Sequence, residues 1–235
     1  MSENIKRIQR ALMNKGFNPG VIDGIWGRNT IAAIKNFQHT QTLLVDGIVG
    51  PNTEAALFGA EAIPVHSAST LVLPWLEEAK SLLGTKEFSG ASDNPIIMEW
   101  SDSLDIPYSG DDVPWCGLFV GHCIAVTLTE ESLPGNPLGA RQWTKFGKRI
   151  EPCLGAVMVF WRISEQSGKG HVGFYVGEDD SGYQILGGNQ SNRVCLTWVH
   201  RDRFLQARWP VTAESLVNGL TLAKRRDEGF SANES

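Results

Sequence analysis

The chain has 235 residues, of which 42% are hydrophobic and 20% charged, with a formal net charge of −5 at pH 7. That length suits one sizeable core or a small domain plus a medium one, and the composition is ordinary for a globular protein. No apolar run approaches the ~20 residues needed to cross a bilayer, so stable membrane insertion is not expected, and the acidic balance argues against nucleic acid as the main partner.

The first residues, Met1-Ser2-Glu3-Asn4-Ile5-Lys6-Arg7, carry no apolar signal-peptide core, so synthesis in the cytoplasm without a signal peptide is expected. Charge is unevenly spread. Residues 1–60 hold six Lys/Arg against four acids, a balance of +2 that leaves −7 for the remainder.

Residues 1–59 contain a repeat. Asp23-Gly24-Ile25-Trp26-Gly27-Arg28-Asn29-Thr30 recurs 23 residues later as Asp46-Gly47-Ile48-Val49-Gly50-Pro51-Asn52-Thr53. Asp-Gly is a turn pair, and Asn-Thr is expected to cap the helix that follows. Ile5, Ile8 and Leu12 form one apolar stripe, closed by Gly16, and Ile31, Ile34 and Phe37 form another. Three short helices joined by two Asp-Gly loops follow, near the lower size limit for an independent core.

The doubled Asp-Gly-x-x-Gly-x-x-Thr motif resembles the peptidoglycan-binding domain of bacterial and phage cell-wall hydrolases. The resemblance implies peptidoglycan as partner. The glycines themselves read as loop-shaping. Trp26 and Arg28 in the first loop are candidates for a wall contact, with burial the alternative for Trp26.

Residues 60–73 are small, polar and without periodicity, and read as a linker. A helix is expected from Pro74-Trp75 to Gly84 and another over 112–127. Strand-like runs follow at Ala156–Trp161, His171–Val176, Tyr183–Leu186, Val194–Trp198 and Gln206–Trp209. Helices followed by an antiparallel meander make an α+β domain over residues 74–210. Residues 211–235 read as a tail with an amphipathic piece (Leu216, Leu220) and a charged end.

Cys116 follows Pro114-Trp115 at the expected start of an apolar helix, where unpaired N–H groups favour a thiolate. Gly117 and Gly121 leave that helix a thin face for close approach to a sheet. Of five histidines, His171 is the best placed base, since it opens a strand between Gly170 and Gly173. Hairpin pairing centred on Asp180 sets His171 opposite Asn189, and a one-residue slip makes Gln190 the nearest amide instead. Either amide would orient the imidazole. The Cys116 N–H is the natural first oxyanion donor, and Tyr108 or Trp115 could border that hole. Cys123, Cys153 and Cys195 read as small buried hydrophobes, with neither C-x-x-C pairs nor zinc-finger spacing.

Trp115-Cys116 with its apolar helix, the strand opened by Gly155, Gly170-His171-Val172-Gly173 and the Gly187-Gly188-Asn189-Gln190 corner together resemble the CHAP and NlpC-type papain-like peptidases and amidases of peptidoglycan. The resemblance covers roughly residues 74–210. It implies a papain-like domain, helices first and then an antiparallel sheet, with Cys116 as nucleophile, His171 as base then acid, and Asn189 as orienting group. No metal or organic cofactor is implied. Two departures stand out: Ala156 occupies the place of a frequent Asp, and Gly187 that of a frequent Glu.

The expectation is a monomeric wall hydrolase cleaving an amide of the stem peptide or its junction with muramic acid. A phage endolysin released by a holin-type partner, acting at the wall or periplasm, fits the absence of a signal peptide, and a wall-degrading toxin delivered by a secretion system is the alternative. A catalytically silent wall-binding or structural phage protein is a different class. Glycan cleavage by paired carboxylates is disfavoured, since Asp111-Asp112 and Asp179-Asp180 read as loop and turn acids.

Overall fold

The structure is a computed structural model and describes residues 3–59, 72–88 and 92–213. The N-terminal unit has three helices: α1 (Glu3–Asn14), α2 (Arg28–Thr40) and α3 (Pro51–Phe58). Both expected stripes face inward, with Ile5, Ile8 and Leu12 packed against Ile31, Ile34 and Phe37. Phe17 meets Phe37 edge-on at 5.4 Å.

A buried glutamine organises each copy of the repeat. Gln9 Nε2 donates to Asp23 Oδ1 (3.0 Å), the Ile25 carbonyl and Thr30 Oγ1, while its Oε1 accepts the Gly24 N–H at 2.9 Å. Gln38 repeats the pattern on Asp46 Oδ1 (2.7 Å), the Ile48 carbonyl, Thr53 Oγ1 and the Gly47 N–H. The Asn-Thr pairs are therefore not caps. Gly27 and Gly50 precede the first helical turns without a side-chain cap, because both threonine hydroxyls point inward to a glutamine.

Identical wiring leaves the two loops in different surroundings. Ile25 is 52% exposed, whereas Ile48 is 1% exposed and joins the core of the C-terminal unit. Val49 forms an antiparallel bridge with Val72 beside it. Val72 and Leu73, expected as linker, are thus ordered and buried; residues 60–71 lie outside the described residues.

The C-terminal unit sets α4 (Pro74–Ser81), α5 (Pro95–Ser103) and α6 (Cys116–Thr127) against six antiparallel strands. These are β1 (Lys148–Ile150), β2 (Val157–Trp161), β3 (Gly170–Glu178), β4 (Gly182–Gln190), β5 (Arg193–His200) and β6 (Phe204–Trp209), in the order β1-β6-β2-β3-β4-β5. The molecule is therefore a mixed α+β protein. The meander β2 to β5 matches the strand-like runs, while polar, three-residue β1 gave no alternating signal. Helix α5 was not anticipated, although Asn94-Pro95 carries its signature: Asn94 Oδ1 accepts the Ile96 N–H and Pro95 takes the first helical position.

Helix α4 stops at Ser81, short of Gly84, because the chain turns to run beside β5. Gly84 N–H donates to Val194, Val194 N–H to Thr85, and Glu87 N–H to Asn192. This detour carries Glu87 to the site. At the other end the unit extends past residue 210: Glu131 accepts the Thr212 N–H and hydroxyl, and Trp209 Nε1 donates to Ala213. The amphipathic piece and charged end read from the sequence lie outside the described residues.

The core is aromatic. Trp75 and Trp209 meet edge-on at 5.2 Å, and Trp75 Nε1 donates to the Gly155 carbonyl across the unit. The thin face of α6 does not meet the sheet. A Cβ on Gly117 would lie 2.1 Å from the Pro137 carbonyl oxygen, so that face receives the 133–138 segment. The close helix–sheet approach lies at Gly188 instead, where a Cβ would come within 2.6 Å of Phe119 and Trp115.

Candidate functional site

Cys116 is the first residue of α6, after Trp115, and is 4% exposed. Its surroundings follow from the sheet. Tyr175 N–H donates to Ala156, so alternate β3 N–H groups, including that of Val172, point toward β4. The β3–β4 ladder stops at the Phe174–Leu186 pair, which frees the Val172 N–H from strand pairing. Cys116 takes it. Burial pushes the thiol above its ordinary pKa, while hydrogen bonds from the backbone N–H groups of Val172 and Gly117, the charge of Arg162 and the Cys116 N–H act against that.

His171, the residue before Val172, pairs with Phe160 on β2 and is half-buried. Its Nε2 lies 3.0 Å from Gln190 Oε1. The amide is oriented by its other end, since Gln190 Nε2 donates to the carbonyls of Ile185, Gly187 and Cys195. Oε1 can only accept, so a neutral His171 carries its proton on Nε2 and keeps the Nδ1 lone pair free. Burial lowers the His171 pKa to about 4, opposed by the Gln190 hydrogen bond and reinforced by the charges of Arg162 and Arg203. At neutral pH the resting pair is thiol and neutral imidazole. Among the described residues no hydrogen bond joins Cys116 Sγ to the ring.

Asn189 is not the amide beside the imidazole. Beyond a bulge between Tyr175 and Gly177 the register is centred on Asp180, as the Phe174–Leu186 and Tyr175–Ile185 pairs show, and would set Asn189 opposite His171. The strand breaks before that point. Asn189 is left-handed (φ 54°) within a bulge between Gly187 and Gln190, as are Ser191 and Asn192. The bulge turns the Asn189 amide outward to Glu87 Oε1 at 2.7 Å and brings Gln190 to the ring.

Glu87, which the sequence reading missed, also accepts Trp115 Nε1 at 2.8 Å. One carboxylate thus ties the residue ahead of Cys116 to the corner that carries Gln190. No local sequence signal marks it; its place depends on the turn after α4.

Two other expected contacts are redirected. Trp115 is fully buried and cannot border an oxyanion hole from solvent. Tyr108 is half-buried and donates its hydroxyl to Val113, bracing the loop before Cys116. Asp111 is buried and accepts the N–H groups of Phe88 and Asn94, a loop role as expected. His122 stacks on Trp100 at 5.3 Å and lies 3.4 Å from Glu78, on another face of α6.

In the N-terminal unit Trp26 is 3% exposed, so it is core and not a wall contact. Arg28 is exposed and lines a groove of about 200 Å³ with Gln9, Asp23, Ile25 and Asn29. No disulfide joins the four cysteines, and Cys195, only half-buried, donates its thiol to the Gln190 carbonyl. Among the described residues no group of three His, Cys, Asp or Glu side chains is placed to hold a metal ion, and no helix is long and apolar enough to cross a membrane.

Comparison with known proteins bears on the N-terminal unit. Residues 1–57 match the family described as "Putative peptidoglycan binding domain". A "Probable N-acetylmuramoyl-L-alanine amidase" of Bacillus licheniformis is 36% identical over 73 residues, 30% of this chain and 21% of that protein. A "Spore cortex-lytic enzyme" of Bacillus cereus is 38% identical over 58 residues, 25% of this chain and 22% of that protein. The chain thus spans about a fifth of the length of these curated relatives. The family match coincides with the three helices of the N-terminal unit.

Proposed function

We propose that the protein is a peptidoglycan hydrolase of papain-like type that cleaves an amide bond of the stem peptide or its junction with muramic acid. The observation that carries the reading is the ordered trio in the C-terminal unit: a thiol at a helix start, the backbone N–H beside His171 against it, and His171 held in one tautomer by Gln190. The wall-binding module supports it, and so do relatives that combine a similar segment with wall-lytic names. Tethering raises the local substrate concentration.

In this mechanism His171 Nδ1 takes the Cys116 proton as sulfur attacks the scissile carbonyl. The N–H of Cys116 donates to the developing oxyanion. The imidazolium then protonates the departing amine, leaving a thioester, and water activated by the regenerated imidazole releases the acid. Gln190 replaces Asn189 as the orienting amide. Because burial keeps the thiol neutral at rest, ionisation is coupled to transfer onto His171.

A phage endolysin reaching the wall through a holin-type partner remains the biological setting we favour. The buried thiol and the absence of a direct sulfur–imidazole hydrogen bond favour a second reading, a non-catalytic wall-binding protein. Mass spectrometry of digested walls separates them. New amine and carboxyl termini from the unsubstituted chain, absent with Cys116→Ala, support hydrolysis; identical products from both would sink it.

A further inference from the structure

A cleft of about 270 Å³ opens on the His171 side of the sheet. Phe160, Trp161, His171 and the exposed Trp198 of edge strand β5 line it, and Arg162 and Arg203 contribute two positive charges. None of the residues that line it is a carboxylate.

Three other arginines of the C-terminal unit are engaged by protein acceptors, while Arg149 and Arg193 are exposed and do not line this cleft. Arg201 pairs with Glu178 at 3.1 Å and donates to the Asp179 carbonyl; Arg208 donates to the backbone carbonyls of Phe146 and Gly147, and Arg141 to that of Glu165. Among the described residues Arg162 and Arg203 have no carboxylate partner, and the Arg203 guanidinium lies over the Trp161 ring at 5.8 Å. Two guanidinium groups on a concave, partly aromatic cleft offer positive charge that a bound anion would meet. Guanidinium is also the side chain best matched to a carboxylate, through paired N–H donors.

We propose that Arg162 and Arg203 form a carboxylate-recognition subsite that selects acidic peptides, in which a free carboxylate lies beside the scissile amide. This rests on the hydrolase reading above and adds the substrate class to it. The cleft is slightly smaller than typical small-molecule sites, which suits a short peptide segment. Trp161 and Trp198 supply apolar walls for its backbone, and the arginines fix its direction relative to His171.

The test uses the full chain carrying Cys116→Ala, so that binding is read without turnover. Calorimetry compares a synthetic stem peptide bearing a free α-carboxylate with its carboxamide. The acid should bind about tenfold tighter, and Arg162→Gln combined with Arg203→Gln should bring the ratio near one. Raising salt should shrink the preference in the chain with both arginines intact, which keeps the test valid even if the double variant folds poorly. Equal binding of acid and amide, or a preference that survives loss of both arginines, overturns the subsite. Selective binding without any wall cleavage by the unsubstituted chain would instead remove the hydrolase reading and leave the subsite standing.

Discussion

Gln9 and Gln190 are both buried glutamines whose Nε2 is anchored on oxygens of the surrounding backbone and side chains, and they differ in what their Oε1 accepts. In the N-terminal unit it accepts a glycine N–H, closing the hydrogen-bond set of one loop. In the C-terminal unit it accepts from an imidazole, so the same anchoring serves to fix a tautomer. The residue type is shared; the partner on one atom separates a structural clamp from a positioning group.

Breaking the clamp beside His171 should have the largest effect. Gln190→Ala removes the acceptor that holds the Nε2 proton and should lower kcat/KM on wall fragments on the order of 10²–10⁴-fold. A steady-state assay checks it, with thermal unfolding to confirm that the fold survives the loss of three carbonyl contacts.

Breaking the structural clamp should act on stability instead. Gln9→Ala leaves the Gly24 N–H without its partner, removes one of the two donors to the Ile25 carbonyl, and should destabilise the N-terminal unit by roughly 2 kcal/mol. Denaturant unfolding and wall pull-down should both report it, while turnover of a soluble peptide stays unchanged. A parallel loss of soluble-peptide turnover would contradict the division of roles.

Acid should separate the two regions as well. His171 is neutral in both folded and unfolded chains above pH 6.5. Between pH 6.5 and about 4 the unfolded chain binds the proton more readily, so stability falls as pH falls through that window and levels below it. Activity of the free enzyme should drop as pH falls through about 4, where the base becomes protonated. His171→Gln should remove this contribution from the stability profile of the C-terminal unit.

The smallest effect is expected at the neighbouring amide. Asn189→Ala loses the 2.7 Å bond to Glu87 but leaves the imidazole partner in place, and should cost about tenfold or less. A loss equal to that of Gln190→Ala would return the orienting role to Asn189.

Legibility in the sequence followed the range of the physics involved. Helical stripes such as Ile5-Ile8-Leu12 and the alternating runs of β2 to β5 depend on neighbours a few residues apart, and they stood out. The Asp180-centred register was met beyond the turn, but only because a bulge between Tyr175 and Gly177 offsets the one-residue shift of the Glu178–Tyr183 pair. Choosing between Asn189 and Gln190 was not readable, because it hangs on a bulge and three left-handed residues that β5 and Glu87 hold in place. Asn94-Pro95 was a legible helix start that went unread. The redirection of Trp26 and Trp115 into the interior had no comparable mark, since tryptophan is at home in a core or on a binding surface.

Local patterning in the chain by itself determined the repeat, the α+β order and the places of Cys116 at a helix start and His171 near a strand start. Tertiary structure alone decided which amide meets the ring, which carboxylate joins the two site loops, and which Asp-Gly loop faces solvent. The reason is common to all three: each depends on contacts between segments far apart in sequence, where burial and hydrogen-bond satisfaction select among side chains that are locally equivalent.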